Sequence, residues 1–567
     1  MSELHEECGI AAVYHLSNRD VSPLVPGGDI NAVSQLVPRM LLDLQNRGQS
    51  AAGMTSYSPN REQILMTHKD LGLVAEVFFS SRMAQHNDLM QQLDGHAAIG
   101  HVRYVTQGDN RVCDAQPLER YHFRKAKWFS FAFNGNIANY QKLFDGRLKN
   151  NEINFSGNTD TELIVYEISR IIAEQLHGRN KQTTTGNHVD ICKKLAERLD
   201  GAYCLTYLTA TGELVVARDP NGLKPLCFAF DGFLFAAASE SVALFNLGFT
   251  HEQIKPVSPG EMLLVTQNGI ESHTFVERQS PKHCFFEWVY FANVASRIDN
   301  CSVYMARKRL GEELAHRENI AVDANTIVVP VPDTSKAAAD GMAYALGVPC
   351  LEGLIRNRYS GRTFIEGGEY RRKKAESKYT PLREVLEGKR VFLVEDSIVR
   401  STTMRVLLNR LREVGRVAEI HVRVACPPII APCFYGIDMP TFRELFAAPF
   451  FWGENLPINE AMPSCDLSLE QLAALEPKMA EALGADSLHY LPMEAVARAV
   501  GLPMEQFCTG CISGNYPTPT GNQRAKNIIA NMRTVTNKQF DEEEMTQLKE
   551  KVSGKYNTDT MSGGIEA

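Results

Sequence analysis

Apolar and polar residues change rhythm once along this chain. Up to about residue 275, short strand-like runs dominate, including 97–104, 129–133, and 202–209 paired across Thr211-Gly212 with 213–217. Hairpin signals recur at Asp231-Gly232 and Asn268-Gly269, dipeptides suited to tight turns, and a helical period runs over 160–175. Helices that fall between groups of strands, rather than after every strand, predict two sheets covered by helices. Beyond about residue 320 the rhythm becomes strand, turn, helix. Strand 327–331 leads through Pro332-Asp333-Thr334-Ser335 into the alanine-rich helix 336–346. Strand 390–394 leads through the polar turn 395–403 into a helix reaching 414, followed by strand 419–424. This alternation predicts a parallel sheet with right-handed crossovers, whose ligands bind at the carboxyl ends of the strands, where both polar turns lie.

At 567 residues the chain is too long for one core and predicts two large domains. A hydrophobic share of 44% and a charged share of 22% are those of an ordinary globular protein. A net charge of −8 without a basic stripe gives no support for a nucleic-acid partner. No apolar run reaches roughly 18 residues and no signal peptide opens the sequence, so no membrane partner and a cytoplasmic location are expected. Thirteen cysteines in a chain this long are not a disulfide scaffold; in a reducing compartment clustered cysteines read as metal-binding or catalytic. From about Ala525 the sequence is polar and charged and reads as a frayed or partly helical tail.

Cys8 lies close to the start, in His5-Glu6-Glu7-Cys8-Gly9-Ile10. One short cut would give it a free α-amine, which titrates near about 7.7–8.0 and can serve as base for its own thiol. By position alone it is equally a small buried core residue. Four further runs bear on the choice: Leu44-Gln45-Asn46-Arg47-Gly48-Gln49, Gly100-His101-Val102-Arg103-Tyr104, Phe133-Asn134-Gly135-Asn136, and Ser156 to Glu162. Together with Cys8 they resemble the N-terminal-nucleophile glutaminase domain of class II glutamine amidotransferases. The resemblance implies an α+β, four-layer αββα domain and a propeptide, residues 1–7, removed to free Cys8 as nucleophile. It further implies that Arg103 grips the α-carboxylate of glutamine, that Asp160 pairs with its α-ammonium, and that Asn134 and the Gly135 N–H receive the oxyanion. The family usually carries His at the positions of Asn46 and Phe133.

The run Val391-Phe392-Leu393-Val394-Glu395-Asp396-Ser397-Ile398-Val399-Arg400-Ser401-Thr402-Thr403 has its own physics. Two carboxylates at a strand end can hold ribose hydroxyls, and the hydroxyl-rich turn entering a helix offers donors to a 5-phosphate. Glu395-Asp396 alone would equally be a charged helix cap. The run resembles the phosphoribosyl pyrophosphate signature of type I phosphoribosyltransferases, an α/β fold, with Glu395 where the amidotransferase branch usually shows Asp and Ser401 where it shows Gly. The resemblance implies that Asp333, Thr334 and Ser335 form the diphosphate loop. It implies that Mg²⁺ is held near Thr334, Glu395 and Asp396, and that Arg362, in Asn357 to Phe364, belongs to a lid with Arg371 and Arg372. A basic run of this kind is otherwise a solvated face.

A glutaminase followed by this ribosyl-binding domain resembles the amidophosphoribosyltransferase family from Cys8 to about Pro517. The domains implied are 1–7 (propeptide), 8–275 (glutaminase), 276–517 (phosphoribosyltransferase with a C-terminal cluster-binding segment) and 518–567 (flexible or partly helical tail). The implied reaction converts phosphoribosyl pyrophosphate, glutamine and water to 5-phosphoribosylamine, glutamate and diphosphate, the first step of purine synthesis. Ammonia would pass internally, with Tyr290 a candidate for the channel wall, although an aromatic stripe is also plain core. Where the family has Arg-Pro-Asp, this chain has Asn293-Val294-Ala295. Cys508-Thr509-Gly510-Cys511 by spacing suits zinc, a redox pair or nothing. With Cys284 and Cys433 at matching positions, the resemblance implies a [4Fe-4S] cluster, and also homodimers or homotetramers inhibited by purine nucleotides. Rival readings are an amidotransferase acting on another phosphosugar and a non-catalytic phosphoribosyl-binding regulator.

Overall fold

The computed structural model describes residues 8–16, 20–79, 83–104, 111–149, 159–177, 186–277, 280–357, 378–437, 439, 441–452 and 467–528. The N-terminal half contains two stacked antiparallel sheets. The seven-stranded sheet runs, in spatial order, Lys255–Pro256, Cys227–Phe230, Leu234–Ala238, Gly9–His15, Ala97–Arg103, Ala51–Tyr57, Leu65–Leu71. The six-stranded sheet runs Gly269–Thr274, Glu261–Thr266, Leu214–Arg218, Gly201–Thr209, Phe129–Ile137, Leu118–Arg120. The expected 202–209 and 213–217 hairpin is present, with Leu208 opposite Leu214.

Strand periodicity explains the layering. In Gly9–His15 every residue is buried, yet Ala11 and Val13 pack toward the helix Leu36–Asp43, whereas Ile10, Ala12 and Tyr14 pack toward the second sheet. In Phe129–Ile137, likewise, Phe129, Phe131 and Phe133 meet the helices Asp160–Gln175 and His188–Arg198 while Ala132 faces the first sheet. A strand buried on both faces reads as a continuous apolar run, so its two faces become distinguishable only once the layers are stacked.

The second half is the expected parallel sheet, in the order Thr326–Pro330, Arg390–Glu395, Glu419–Val424, Ser487–Tyr490. Helices Val303–Arg317, Lys336–Leu346, Ser401–Glu413 and Leu469–Leu483 cover it. Strand Arg390–Glu395 is central and ends at the carboxylate pair, and the helix Ser401–Glu413 starts six residues after Glu395, so the polar turn opens at the sheet's carboxyl edge. Residues 519–528, inside the expected tail, are helical and docked: Thr520 N donates to Asp200 at 3.0 Å and Arg524 lies 4.8 Å over the Phe434 ring. Residues 1–7 and 529–567 lie outside the described residues.

Under the parallel sheet, Arg423 donates bidentately to Glu318, with Nη2 to Oε1 at 3.0 Å, and both side chains are almost wholly buried. Removing one partner strands a buried charge. The variant Glu318→Ala is expected to lose about 3–5 kcal/mol of unfolding free energy. Urea denaturation checks this, and a loss below about 1 kcal/mol would mean that solvent reaches Arg423.

Candidate active site

Cys8 stands at the entry of the Gly9–His15 strand, one strand away from Arg103, which ends the neighbouring Ala97–Arg103 strand. Its Sγ contacts the Tyr104 carbonyl at 3.9 Å, and Arg47 Nε donates to its own carbonyl at 3.3 Å. Burial pushes the Cys8 thiol up, opposed by the Tyr104 contact and then by the Arg103 charge. Asn134 and Gly135 lie in the facing sheet, in Phe129–Ile137. The Asn134 amide is fully buried; among the described residues its Nδ2 makes only a long 3.5 Å contact to Ser239, whose Oγ accepts Ile10 N at 3.0 Å, and Oδ1 has no partner. At Gly135 a Cβ would fall 1.9 Å from the Ala202 carbonyl, so only glycine permits this approach of neighbouring strands.

Asp160 begins the Asp160–Gln175 helix, accepting Ile137 N at 3.4 Å. Burial is the larger influence and raises its carboxyl to about 6, although the Ile137, Thr161 and Asp160 amides and Arg103 oppose the shift. His101 is buried and held neutral, pushed down to about 3 by burial and then by Arg103, with Nε2 paired to the Phe133 carbonyl at 3.1 Å. It is therefore no ionised partner for the thiol. The structure thus brings Cys8, Arg103, Asn134, Gly135 and Asp160 to one end of two stacked sheets. The run around Arg47 closes the back of the site, where a Cβ on Gly48 would stand 2.7 Å from the Arg103 backbone.

Three charged groups to which motif reading gave no role join this site to the other half. Arg47 is buried and donates to Glu240 Oε1 at 2.8 Å and to Glu287 Oε1 at 2.8 Å. Glu240 Oε2 accepts Asn293 N and Ser296 Oγ, both at 2.7 Å, while Asn46 Nδ2 donates to Glu240 and to the Phe291 carbonyl at 3.0 Å. Asn46 and Asn293, departures from the family pattern, are thereby hydrogen-bonded parts of the junction. The other departure, Phe133, is 3% exposed and packs in the core beside Phe131. Carboxylates paired to one guanidinium from distant segments leave no periodic signal.

The second site is a cavity of about 340 Å³ lined by Asp333, Thr334, Glu395, Asp396, Ser397, Ile398, Val399, Arg400 and Thr403, by Tyr290, and by Asn46 and Gln49 from the first half. Thr334 Oγ1 and Ser397 Oγ both donate to Asp396, the latter at 2.7 Å. Asp333 pairs with Arg356 at 3.1 Å. The Ser335 hydroxyl is buried without a partner among the described residues, and Ser401 opens the helix. Burial and then Asp396 hold the Glu395 carboxyl well above the usual range; burial also raises Asp396. Lys378, which the sequence reading passed over, is buried against them, pushed down to about 8 by burial although both carboxylates resist. Cavity and carboxylate pair suit a polyhydroxylated, anionic ligand arriving with a divalent cation. Arg362, Arg371 and Arg372 lie outside the described residues, and Thr402 falls within the opening turn of the helix.

A third feature lies between the halves. Cys284 and Cys508 face each other across a short parallel bridge, and with Cys433 and Cys511 they line one small cavity beside Lys224, Tyr435 and Tyr516. Cys426 is fully buried and does not line this cavity, its thiol on the Pro427 carbonyl. Burial pushes the Cys508 thiol up to about 12, with Cys433 adding to the rise, and raises Cys284 and Cys511 as well. Among the described residues no three His, Cys, Asp or Glu side chains close on a single metal position. Thiolates around one tetrahedral ion stand about 3.8 Å apart, as bonds of about 2.3 Å require, whereas a cluster with iron at each corner holds them farther apart. Four thiols lining one cavity have the chemistry of an iron–sulfur ligand set.

The chain is similar to relatives of one kind. The family model described as glutamine amidotransferase domain matches residues 101–246. A protein of Methanothermobacter thermautotrophicus named amidophosphoribosyltransferase is 36% identical over 519 residues, covering 91% of this chain and 96% of its own. One of the same name from Bacillus subtilis is 34% identical over 522 residues, covering 91% and 95%. The solved glutamine phosphoribosylpyrophosphate amidotransferase from B. subtilis, complexed with ADP and GMP, is 33% identical with a TM-score of 0.72, over 90% of this chain and 98% of that one.

Proposed function

The chain belongs to the amidophosphoribosyltransferase family, and we propose that it works by the two-site chemistry its residues support, converting glutamine and phosphoribosyl pyrophosphate to 5-phosphoribosylamine, glutamate and diphosphate. The observation that carries this reading is the second cavity, whose wall includes Asn46 and Gln49 from the thiol-bearing half. A thiol site that releases ammonia and a site that receives an activated sugar then share one boundary.

At the first site, removal of residues 1–7 gives Cys8 an α-amine that takes the thiol proton as Sγ attacks the glutamine amide. Arg103 holds the substrate carboxylate and Asp160 its ammonium. Asn134, whose amide is otherwise weakly engaged, and the Gly135 N–H receive the oxyanion. Water then resolves the thioester. At the second site Asp333, Thr334 and Ser335 cradle diphosphate; Ser397, Ile398, Val399, Arg400, Ser401, Thr402 and Thr403 hold the 5-phosphate at a helix entry; Glu395 and Asp396 hold the ribose hydroxyls. Arg362, outside the described residues, is read as a cation for the diphosphate. Mg²⁺ near Thr334, Glu395 and Asp396 supplies positive charge to the leaving diphosphate when bound. Ammonia passes by Tyr290, protected from protonation in bulk water. Purine nucleotides are read as inhibitors competing at the ribosyl site and the working form as a homo-oligomer, dimer or tetramer, in the cytoplasm. Among the described residues no helix is long and apolar enough to cross a membrane. The intact thiol site argues against a non-catalytic regulator, which has no use for it.

Diphosphate release from phosphoribosyl pyrophosphate with glutamine, or with ammonium chloride in its place, tests the reading. Cys8→Ala is expected to abolish the glutamine-driven reaction and keep the ammonium-driven one. Loss of both, or neither, would sink the assignment.

The elevated Asp160 carboxyl gives a pH signature. Below about pH 6 the group is protonated and offers no charge to the ammonium, so kcat/KM for glutamine should fall as pH drops through that value. Asp160→Asn should lose this inflection and about 10–100-fold in kcat/KM at pH 8. An unchanged profile in the variant would assign the inflection elsewhere.

Cys284, Cys433, Cys508 and Cys511 are proposed as ligands of a [4Fe-4S] cluster that fastens the C-terminal segment between the halves. Anaerobically purified protein should contain about four iron and four sulfide per chain. Cys433→Ala should lose them and Cys426→Ala retain them; equal retention by both variants would refute the ligand set.

A further inference from the structure

Arg307, on the helix Val303–Arg317, is 3% exposed and occupied on one side by backbone. Its Nε donates to the Trp288 carbonyl at 2.8 Å, and Nη2 to those of Tyr290 and Ala292 at 2.8 and 2.9 Å. These carbonyls belong to the π-helical turn Glu287–Phe291 and the residue after it, an irregular geometry common at functional sites. The same turn is gripped from its other side, where Glu287 takes Arg47 and the Phe291 carbonyl takes Asn46. Arg47 in turn holds the carbonyl of Cys8. Arg307 also lines the second cavity together with Asp396, and the two charges attract each other.

We propose that Arg307 is a positioning residue that transmits occupation of the phosphoribosyl site to the thiol site, by way of the Glu287–Phe291 turn, Glu287 and Arg47. A ligand that engages Asp396 changes its pull on Arg307. Because the guanidinium is tied to three carbonyls, its displacement moves the turn. Glu287 and Arg47, both buried, cannot absorb that movement into solvent and pass it to the Cys8 backbone. The coupling is a free energy between two sites, carried by one element held from both ends. This inference rests on the two-site reading above.

The test uses the full chain, purified anaerobically, and measures glutamate formation from glutamine with and without phosphoribosyl pyrophosphate and Mg²⁺, alongside ammonium-driven diphosphate release. In Arg307→Lys, which keeps the charge but cannot span three carbonyls, the stimulation of glutamine hydrolysis by the sugar should fall by about tenfold, within the usual range of coupling between sites. Unstimulated hydrolysis should stay within about twofold, and ammonium-driven release should fall by a smaller factor than the stimulation does. Glu287→Gln, which weakens the same chain at its next member without changing size, should reproduce the loss and serves if Arg307→Lys does not fold. Native-like stimulation in either folded variant overturns the inference, as does a parallel loss of ammonium-driven release, which would place Arg307 in sugar binding itself. Native protein that releases no diphosphate from either nitrogen source overturns instead the functional reading.

Discussion

The junction between the two halves depends on a buried guanidinium shared by two carboxylates. Arg47 is excluded from solvent, and its partners Glu240 and Glu287 come from the first half and from the turn that opens the second. Charges this deeply buried are tolerated only with close pairing and further hydrogen bonds, and both are present: Asn46, Ser296 and the Asn293 N–H complete the Glu240 carboxylate. Two catalytic centres of different chemistry are thus registered by an interaction that penalises any slip between them. The attachment of Arg47 to the Cys8 carbonyl makes the same group part of the thiol site's frame.

Electrostatics at the two centres run in opposite senses. Around Cys8, the Arg103 cation and the Asp160 carboxylate act on one thiol, and burial raises the Asp160 carboxyl to about 6 against the pull of the Ile137, Thr161 and Asp160 amides and then of Arg103. At the carboxyl edge of the parallel sheet, two adjacent carboxylates repel, and Lys378 and Arg307 are cations that act on them. With Glu395 pushed toward its neutral form, each added donor or positive charge at the pair would relieve the repulsion and favour ionisation.

The cysteines show how burial sorts residues of one kind. Cys426 is wholly enclosed and committed to a carbonyl, whereas Cys284, Cys433, Cys508 and Cys511 converge from three distant segments on one cavity. The thiols of Cys284, Cys508 and Cys511 resist ionisation because of burial and then because neighbouring cysteines repel them, a condition that a positively charged core would relieve.

Much of this was legible in the amino-acid order. The change from turn-separated strands to strand-turn-helix alternation identifies the two architectures, because side-chain period and turn residues are local properties. The carboxylate pair before a hydroxyl-rich helix entry, and the ordered runs around Cys8, Arg103, Asn134 and Asp160, identify the candidate centres for the same reason: each is carried by neighbours in the chain. Local order says nothing of Arg47 meeting Glu240 and Glu287, of Arg307 closing on three carbonyls, or of Lys378 facing Glu395. Those pairings join residues far apart in sequence, and they are decided by which surfaces the stacked sheets and the interdomain turn bury together, since a charge removed from water must find its partner wherever the fold brings one.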